Sequence, residues 1–309
     1  MLHECRVDDA LVHSCRAMLG ARANGYPGVP DNFDAQHLHH ARRIGRPIDL
    51  AHAFAAPGKV PFGDRHTVNW TRNHTDAYLV HNWKPVTRWR DVDTIAALRR
   101  IRVAARRVKH LRYRKIHLVV HHEPENDTAV ASARKGAGTP EEYRRMWRIV
   151  REIFDDEGCE NALFGMAYMN YPKWDSIVAD LWPGDDIVDW VWCNLYGSTS
   201  RPDPEENFFH FTTLRARHGL GMDKPLGVIE WGIHSAGREA AVDYYDAATA
   251  FLDNPVADMI KAWMVFDSPG AHDEGGLRLA FDDMGKPHPE KLAAYRRFAS
   301  HRRFRCHVE

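Results

Sequence analysis

The chain has 309 residues, of which 44% are hydrophobic and 27% are charged, the composition of a globular protein with a large core. Its 42 Lys and Arg residues equal its 42 Asp and Glu residues, so no net field favours nucleic acid or a membrane surface as a partner. The length permits two domains, but an α/β barrel of this size forms one, and we predict a single domain over residues 1–309.

The N-terminal residues 1–6 contain neither the basic nor the apolar region of a signal peptide. No run of about 18 apolar residues occurs, so the sequence predicts no membrane-spanning segment. We expect a soluble protein whose location stays open. If its substrate is extracellular, we expect export by another route or association with a virion.

In the first half of the chain, short apolar segments alternate with amphipathic ones. Strands are predicted over residues 15–21, 47–54, 76–83 and 116–122. Helices are predicted over residues 33–44, where Gly45 ends the helix, and over residues 93–111. The many arginines of the second helix are interpreted as a solvated face, because no aromatic side chains accompany them as a nucleic-acid platform would require.

The second half of the chain repeats this alternation. Thr139 and Pro140 open a helix that runs to about Phe154, as the N-cap and the first helical residue. Further strands are predicted over residues 161–168, 188–196, 226–230 and 260–266, and further helices over 208–218, 239–252 and 290–300. Eight strands that alternate with helices predict an α/β fold, a single (β/α)8 TIM barrel.

The five cysteines, Cys5, Cys15, Cys159, Cys193 and Cys306, are scattered along the chain. No Cys-x-x-Cys motif occurs, so we predict no zinc or redox site of that kind. An odd number argues against a complete disulfide framework. Cys5 and Cys306 lie near the two termini, which meet in a closed barrel, and a bridge between them is one possible pairing.

The fourth predicted strand ends in a group of polar residues. Its apolar run, residues 116–120, is followed by two histidines and Glu123, and Pro124 then stops the strand. The alternation of side chains along a strand predicts that His117, His121 and Glu123 share one face. A carboxylate at the carboxyl end of a buried strand is typical of the catalytic groups of barrel enzymes.

The seventh predicted strand has the same pattern, an apolar run followed by Glu230 and a Gly turn. Glu123 and Glu230 are therefore a candidate pair for acid/base and nucleophilic catalysis. Carboxyl groups about 5–5.5 Å apart would give retention, and about 6.5–9.5 Å would leave room for an inverting water. Tyr196, at the end of the sixth strand, is spaced to hydrogen bond the ionised carboxylate. Glu125 is an alternative acid.

These residues resemble those of glycoside hydrolase family 26, a family of barrel glycosidases with catalytic Glu residues on strands four and seven. His122-Glu123 matches the family's His before the acid/base Glu. Residues 181–196 are similar to the family's stretch Tyr-Pro-Gly-Asp-x-Tyr-Val-Asp-x-Val-Gly-x-x-x-Tyr, and residues 224–232 to its nucleophile strand, Lys-Pro-x-x-x-x-Glu-x-Gly. Residues 81–85 resemble its strand-three end, and the resemblance covers about residues 80–267.

The resemblance implies a retaining glycoside hydrolase that acts on a polysaccharide or oligosaccharide without a cofactor. It implies Glu123 as the acid/base and Glu230 as the nucleophile, with Tyr196 orienting the nucleophile and His122 contacting the reacting sugar. A β-mannan or a related β-glycan is the implied substrate. The family usually has Gly where Trp192 stands, and aromatic residues often follow its acid/base motif. The sugar subsites are therefore expected to differ from those of the mannan-degrading members.

Several further residues are candidate substrate contacts. Trp83 and Trp263, both on predicted strands, are interpreted as sugar platforms, with packing in the barrel as the alternative. Asn194 is a third candidate. The long loop over residues 124–140 is expected to form one wall of an open, aromatic groove that Trp83 and Tyr196 face. We expect the protein to be a monomer.

Two other classes of function stay open. One is a metal-dependent barrel hydrolase that uses His121, His122 and a carboxylate, although the spacing of the histidines matches no zinc template and we expect no metal. The other is a carbohydrate-binding or virion-attachment barrel without activity. The presence of both Glu123 and Glu230 argues against the second class.

Overall fold

Eight parallel strands, hydrogen bonded in sequential order, form a closed barrel. The computed structural model describes residues 5–56, 58–61, 65–74, 76–111, 114–129, 136–234, 237–269 and 277–305. The strands are β1 (Met18–Ala23), β2 (Leu50–Phe54), β3 (Tyr78–Trp83), β4 (Ile116–Val120), β5 (Ala162–Tyr168), β6 (Trp190–Gly197), β7 (Leu226–Ile233) and β8 (Ile260–Asp267). The predicted (β/α)8 TIM barrel is confirmed.

Helices separate the strands along the chain. They are α1 (Phe33–Ile44), α2 (Arg65–Asn73), α3 (Ile95–Lys109), α4 (Pro124–Asp127), α5 (Pro140–Asp156), α6 (Asp175–Val178), α7 (Pro204–His218), α8 (Arg238–Phe251) and α9 (Pro289–Ala299). The sequence pattern predicts neither α2, which is mostly polar, nor α4 and α6, which are a single turn each. Within the described residues, no helix is both long and apolar enough to cross a membrane.

The ends of α1 and α5 follow from their capping residues. The Asn32 side chain accepts a hydrogen bond from the Ala35 amide at the start of α1, and Gly45 ends that helix with a left-handed φ of 82°. Thr139 and Glu142 form a reciprocal capping box at the start of α5. The predicted bounds of α1 are confirmed, and α5 runs two residues beyond its predicted end.

Contacts within the chain define two compact units. The first unit comprises Met1–His52, Asn194–Phe211 and Pro225–Glu309, and the second comprises Ala53–Cys193 and Thr212–Lys224. The single domain suggested by the chain length stays a prediction.

The core of the first unit is aromatic. In it β1 pairs with β8 along its whole length, from Met18 opposite Ala262 to Ala23 opposite Asp267. The Phe298 ring of α9 lies 4.5 Å from that of Trp231 and 5.4 Å from that of Trp263, centroid to centroid. All three side chains are fully buried, which joins the strand layer to the helix layer.

The core of the second unit also contains aromatic rings in contact with one another. His117 of β4 meets Trp190 and Trp192 of β6 edge-on, at 4.9 and 5.3 Å between centroids. Gly165 of β5 makes room for this cluster, since a Cβ there would lie 2.7 Å from the Trp192 indole nitrogen. Trp192, which stands where the resembled family usually has Gly, is therefore accommodated by a glycine on the neighbouring strand.

The one disulfide among the described residues joins Cys5 to Cys15. The suggested Cys5–Cys306 pairing is therefore wrong, and Cys306 itself lies outside the described residues. A local hairpin explains the difference: Val7 and His13 form an antiparallel bridge. This hairpin brings the α-carbons of Cys5 and Cys15 to 5.2 Å, within the normal range for a disulfide.

Candidate active site

The backbone changes direction sharply after β4. The strand ends at Val120, and both His121 and Glu123 then adopt left-handed φ angles, of 51° and 53°. Residues other than glycine adopt this conformation at a cost, and it concentrates at functional sites. The turn also ends the alternation of side chains, so the prediction that His117 and His121 share a face is wrong: His117 contacts Trp190 and Trp192. His121 lies instead beside Trp89 and Tyr143.

Glu123 lies at the N-terminus of α4, where its side chain is half-buried. Its backbone N–H donates to the Ala167 carbonyl of β5 at 3.0 Å, which fixes the start of the turn. Pro124 follows as the first residue of α4, where the missing proline N–H removes no hydrogen bond. His122, also half-buried, meets the Phe54 ring of β2 edge-on at 5.3 Å.

A chain of hydrogen bonds holds His121 behind this turn. The Trp89 indole N–H donates to His121 Nδ1 at 3.1 Å, and we assign Nε2 as the protonated nitrogen that donates to Asp127 Oδ2 at 2.8 Å. Lys84 forms an ion pair with the same carboxylate. Burial lowers the pKa of His121 to about 4, so its ring is neutral. Burial acts to raise the pKa of Asp127, but the His121 hydrogen bond and the Lys84 charge lower it overall.

Glu125 lies in α4 and is fully buried. Its Oε1 accepts a hydrogen bond from the Met169 amide at 2.8 Å. Burial, with a smaller contribution from the charge of Glu123, raises the pKa of Glu125 to about 8. A carboxyl group with no exposed surface does not reach a substrate, so the geometry favours Glu123 over Glu125 as the acid.

Glu230 lies within β7 and has 6% of its surface exposed. The Tyr196 hydroxyl of β6 donates to its Oε2 at 2.8 Å, which is the hydrogen bond that the spacing predicts. The register of β7 against β8 shifts between Val228 and Trp231, so β7 has one extra residue where Glu230 lies. Such a bulge re-aims a side chain, and bulges are frequent next to active sites.

Three residues that interact with Glu230 or lie near the ring of its partner Tyr196 were not predicted from the sequence. Arg22 of β1 feels the negative charge of Glu230, which raises its pKa against the larger lowering effect of burial. The rings of Phe266 and His234 lie 6.1 and 6.4 Å from the Tyr196 ring. Arg22 was missed because the first strand was predicted to end at residue 21, whereas β1 continues to Ala23.

The structure contradicts the interpretation of either Trp83 or Trp263 as a sugar platform. Trp83 is 1% exposed, and its indole N–H donates to the Lys59 carbonyl at 2.8 Å. Trp263 is fully buried against Phe298. The sequence could not separate these roles, because both faces of a barrel strand are apolar when helices cover the outside. Asn194 is also buried, with 2% exposed.

The predicted aromatic groove stays a prediction. Tyr196 is half-buried, whereas Trp83 presents no exposed face. Of the loop expected to form one wall, residues 130–135 lie outside the described part of the chain.

Within the described ranges, no group of three or more His, Cys, Asp or Glu side chains is arranged to hold a metal ion. His121, the first histidine of the proposed metal alternative, engages both ring nitrogens with Trp89 and Asp127.

Comparisons with known proteins identify the fold. No family model matches the chain, and no curated protein matches it in sequence. Solved structures do match. The GH26 β-mannanase of Bacteroides ovatus is similar with a TM-score of 0.62 at 14% identity, over 94% of this chain and 90% of that one.

Two further solved structures show the same similarity. The GH26 domain of an endo-β-mannanase/endo-β-glucanase from Prevotella bryantii has a TM-score of 0.58 at 14% identity, over 93% of this chain and 90% of that one. A β-mannanase from a symbiotic protist of the termite Reticulitermes speratus, complexed with gluco-manno-oligosaccharide, has a TM-score of 0.60 at 15% identity, over 92% and 87%. The shared feature is the barrel fold.

Proposed function

We propose that this chain is a retaining glycoside hydrolase, similar to those of family 26, with Glu230 as nucleophile and Glu123 as acid/base. The observation that carries the proposal is the 2.8 Å hydrogen bond from Tyr196 to Glu230 at a bulge of β7. A hydroxyl that donates to a carboxylate favours its ionised form. The positive charge of Arg22 acts in the same direction. An ionised carboxylate with a fixed orientation is what a nucleophile requires.

The reaction would proceed by double displacement. A carboxylate oxygen of Glu230 attacks the anomeric carbon, the glycosidic C–O bond breaks, and the proton of Glu123 passes to the leaving oxygen. Glu123, now ionised, then takes a proton from a water molecule whose oxygen attacks the same carbon. The ester bond to Glu230 breaks and both carboxyl groups return to their first state. Two inversions leave the configuration of the sugar unchanged.

The substrate class that we propose is a β-mannan or a related β-glycan. It rests on the fold shared with structures described as β-mannanases and as an endo-β-mannanase/endo-β-glucanase. Two features set the chain apart. Pro124 and Glu125 follow the acid/base residue where aromatic residues are common in the family, and both side chains are buried. His122 and Phe54, both half-buried, are the proposed contacts to the reacting sugar.

The first experiment asks for activity and stereochemistry. The purified chain is incubated with mannan, glucomannan, β-glucan, xylan and bacterial cell-wall glycans, and the first product is examined by NMR. Cleavage with retained configuration supports the proposal. An inverted first product contradicts the double displacement, and binding without turnover of any glycan would indicate a carbohydrate-binding barrel instead.

The second experiment separates the two roles. Glu230→Gln should abolish turnover of every substrate. Glu123→Ala should spare the first step for an aryl glycoside with an activated leaving group, because such a group departs without a proton. Azide should then release the accumulated glycosyl-enzyme, since azide needs no general base. Azide rescue of Glu230→Gly with an inverted product completes the assignment, whereas an inverted azide product from Glu123 variants would mean that the roles are exchanged.

A further inference from the structure

The carboxyl group of Glu125 lies two residues after Glu123, in the single turn of α4, and has no exposed surface. A glutamate is rarely buried completely unless it has a partner. Here Oε1 accepts the Met169 amide at 2.8 Å, and Oε2 has no hydrogen-bond partner among the described residues. Burial of such a group is costly, so its position requires an explanation.

The turn that carries Glu123 is tied to β5 at two points. The Glu123 amide donates to the Ala167 carbonyl at 3.0 Å, and the Met169 amide donates to Glu125 Oε1 at 2.8 Å. The two hydrogen bonds lie on either side of Tyr168, the last residue of β5. Together they fix the turn along its length, because one holds its beginning and the other holds α4.

These two hydrogen bonds, called the tie below, hold the turn in a strained backbone conformation. Glu123 has a left-handed backbone, with φ of 53° and ψ of 49°, which a residue with a side chain adopts only when its surroundings impose it. Just after the tie, Asn170 also has a positive φ, of 58°, so β5 cannot continue to present its amides to a neighbouring strand in the regular way. The Glu125 carboxyl group supplies an acceptor for the Met169 amide in place of a neighbouring strand.

The surroundings of Glu125 favour its neutral form. Burial raises its pKa to about 8, although the backbone amides of Glu125 itself, Met169 and Asn170 act to lower it. The ionisable groups that face it are Glu123, in the turn before α4, and the phenols of Tyr143 and Tyr168, on α5 and β5. None of these groups carries a positive charge. A neutral carboxyl group needs only an acceptor for the Met169 amide, and an amide side chain would supply the same acceptor.

We infer that Glu125 is a positioning residue for the acid/base Glu123, and that its carboxyl group holds the strained turn after β4 against the Met169 amide at the end of β5. The inference rests on the acid/base role proposed for Glu123. Without the tie the turn relaxes and the carboxyl group of Glu123 moves away from the leaving oxygen. Displacement of a catalytic group by about 1 Å costs on the order of 100-fold in rate.

The test compares two substitutions with a control. Glu125→Gln keeps an acceptor of the same shape in the neutral state, whereas Glu125→Ala removes it. Glu141→Ala removes an exposed carboxylate from the first turn of α5 and is the control for loss of a glutamate nearby. Hydrogen exchange of the Met169 amide, measured by NMR, reports the tie without any activity. Exchange should accelerate in Glu125→Ala alone.

Catalysis is measured as kcat/KM on phenyl and dinitrophenyl β-mannobiosides, whose leaving groups differ in their need for a proton. Glu125→Ala should lose about 10- to 100-fold on the phenyl substrate and less than about threefold on the dinitrophenyl one. Glu125→Gln should stay within about threefold of the wild type on both. If Glu125 had a merely structural role, Glu125→Ala would lower kcat/KM equally on both substrates, and Glu125→Gln would not restore it.

Each outcome supports or overturns the inference. Unchanged exchange of the Met169 amide in Glu125→Ala overturns the tie, and equal losses on the two substrates overturn the positioning role. If Glu125→Gln is as impaired as Glu125→Ala, the role of a neutral acceptor is wrong. Other results would contradict the proposed function itself. These are an inactive wild type, or a Glu123→Ala variant that retains full activity on the phenyl substrate. In either case, exchange of the Met169 amide still reports on its hydrogen bond to Glu125.

Discussion

The Tyr196 hydroxyl of β6 donates a hydrogen bond to Oε2 of Glu230 and so links β6 to β7. This hydrogen bond is 2.8 Å long, and in the proposed mechanism a carboxylate oxygen of Glu230 attacks the anomeric carbon. A hydroxyl at this position favours the carboxylate and also limits rotation of its plane. The contribution of Tyr196 is therefore expected in the rate and in the pH dependence rather than in substrate binding.

Tyr196→Phe tests this expectation with minimal change in shape. A hydrogen bond to a charged group contributes about 1.5–3 kcal/mol, so we expect kcat/KM to fall by about 10- to 100-fold. The acidic limb of the pH profile should move to higher pH, because the ionised form of Glu230 loses a donor. The profile is measured on an aryl glycoside. An unchanged acidic limb would show that the Tyr196 hydroxyl does not act on the proposed nucleophile, Glu230.

A second buried carboxyl group lies at the end of β8. Asp267 is 1% exposed, and its Oδ2 accepts the Tyr26 hydroxyl and lies 2.7 Å from His40 Nδ1. Burial raises the pKa of Asp267 to about 7 and lowers that of His40 to about 3. The Leu279 amide donates to Oδ1 at 2.9 Å. His40 and Asp267 thus join α1 to the end of β8 without a net charge between about pH 3 and about pH 7.

Asp267→Asn tests whether the Asp267 carboxyl group is protonated in the folded state, through the pH dependence of the free energy of unfolding. The folded wild type binds the Asp267 proton more tightly than the unfolded chain does. The resulting contribution to the free energy of unfolding is fully present below about pH 4 and is lost as the pH rises through about 7. The loss is at most about 4 kcal/mol, at about 1.36 kcal/mol per unit of pKa. Asn does not titrate, so the stability of the variant relative to the wild type should rise over this interval. Denaturant unfolding at several pH values measures it, and a flat difference would contradict the neutral carboxyl group.

At the scale of elements, β5 and β6 fit together through one glycine and one tryptophan. Trp192 occupies the space over Gly165, where a Cβ would lie 2.7 Å from its indole nitrogen and 3.1 Å from Val119 Cγ2. A protein interior at normal density cannot absorb this overlap without displacing a side chain. The two positions are therefore expected to be energetically coupled.

A double-mutant cycle measures this coupling. Gly165→Ala should destabilise the wild type by about 1–3 kcal/mol, the usual cost of overpacking. In a Trp192→Ala background the same change should cost at least about 1 kcal/mol less, because the two closest contacts of the added Cβ, both to the indole, are gone. The free energies come from denaturant unfolding of the four proteins. Additive effects would mean that the backbone adjusts around Gly165 and that the pair is independent.

The elements also show where sequence patterns are informative. The end of α1 and the start of α5 were predicted because Gly45 and Thr139 are local signals, the first of a helix end and the second of a helix start. The turn after β4 was not, because nothing in the sequence indicates that His121 and Glu123 adopt positive φ angles. That conformation depends on tertiary contacts with β5, which sequence periodicity does not contain.

At the scale of the whole molecule, the barrel was predictable because eight apolar segments alternate with helices and a closed sheet needs each of them. The direction of individual side chains was not. Trp83 and Trp263 have the aromatic character of a sugar platform, yet both are buried. Arg22 and Phe266, whose contacts lie around Tyr196 and Glu230, gave no signal because an Arg or Phe at a strand end is common.

Two neighbouring residues of β7 have different roles: Trp231 belongs to the buried aromatic cluster of the first unit, and Glu230 is the proposed nucleophile. Trp231 follows Glu230 in β7, but its ring packs against Phe298 at 4.5 Å, in the layer of α9. The Glu230 carboxylate instead accepts a hydrogen bond from Tyr196, so the two side chains have separate contacts. A defect in this cluster should therefore weaken the fold without removing any group that contacts the substrate.

Phe298→Ala is the sharpest test of that separation. Removal of a fully buried phenylalanine usually costs about 3–5 kcal/mol, so we expect a large fall in the melting temperature. Phe209→Ala, at a ring that is 40% exposed, is the matched control and should cost about 1 kcal/mol or less. Well below the melting transition, kcat and the pH profile of Phe298→Ala should match the wild type. A shifted profile at that temperature would show that the aromatic cluster also sets the position of Glu230, since the packing of Trp231 would then determine where the proposed nucleophile lies.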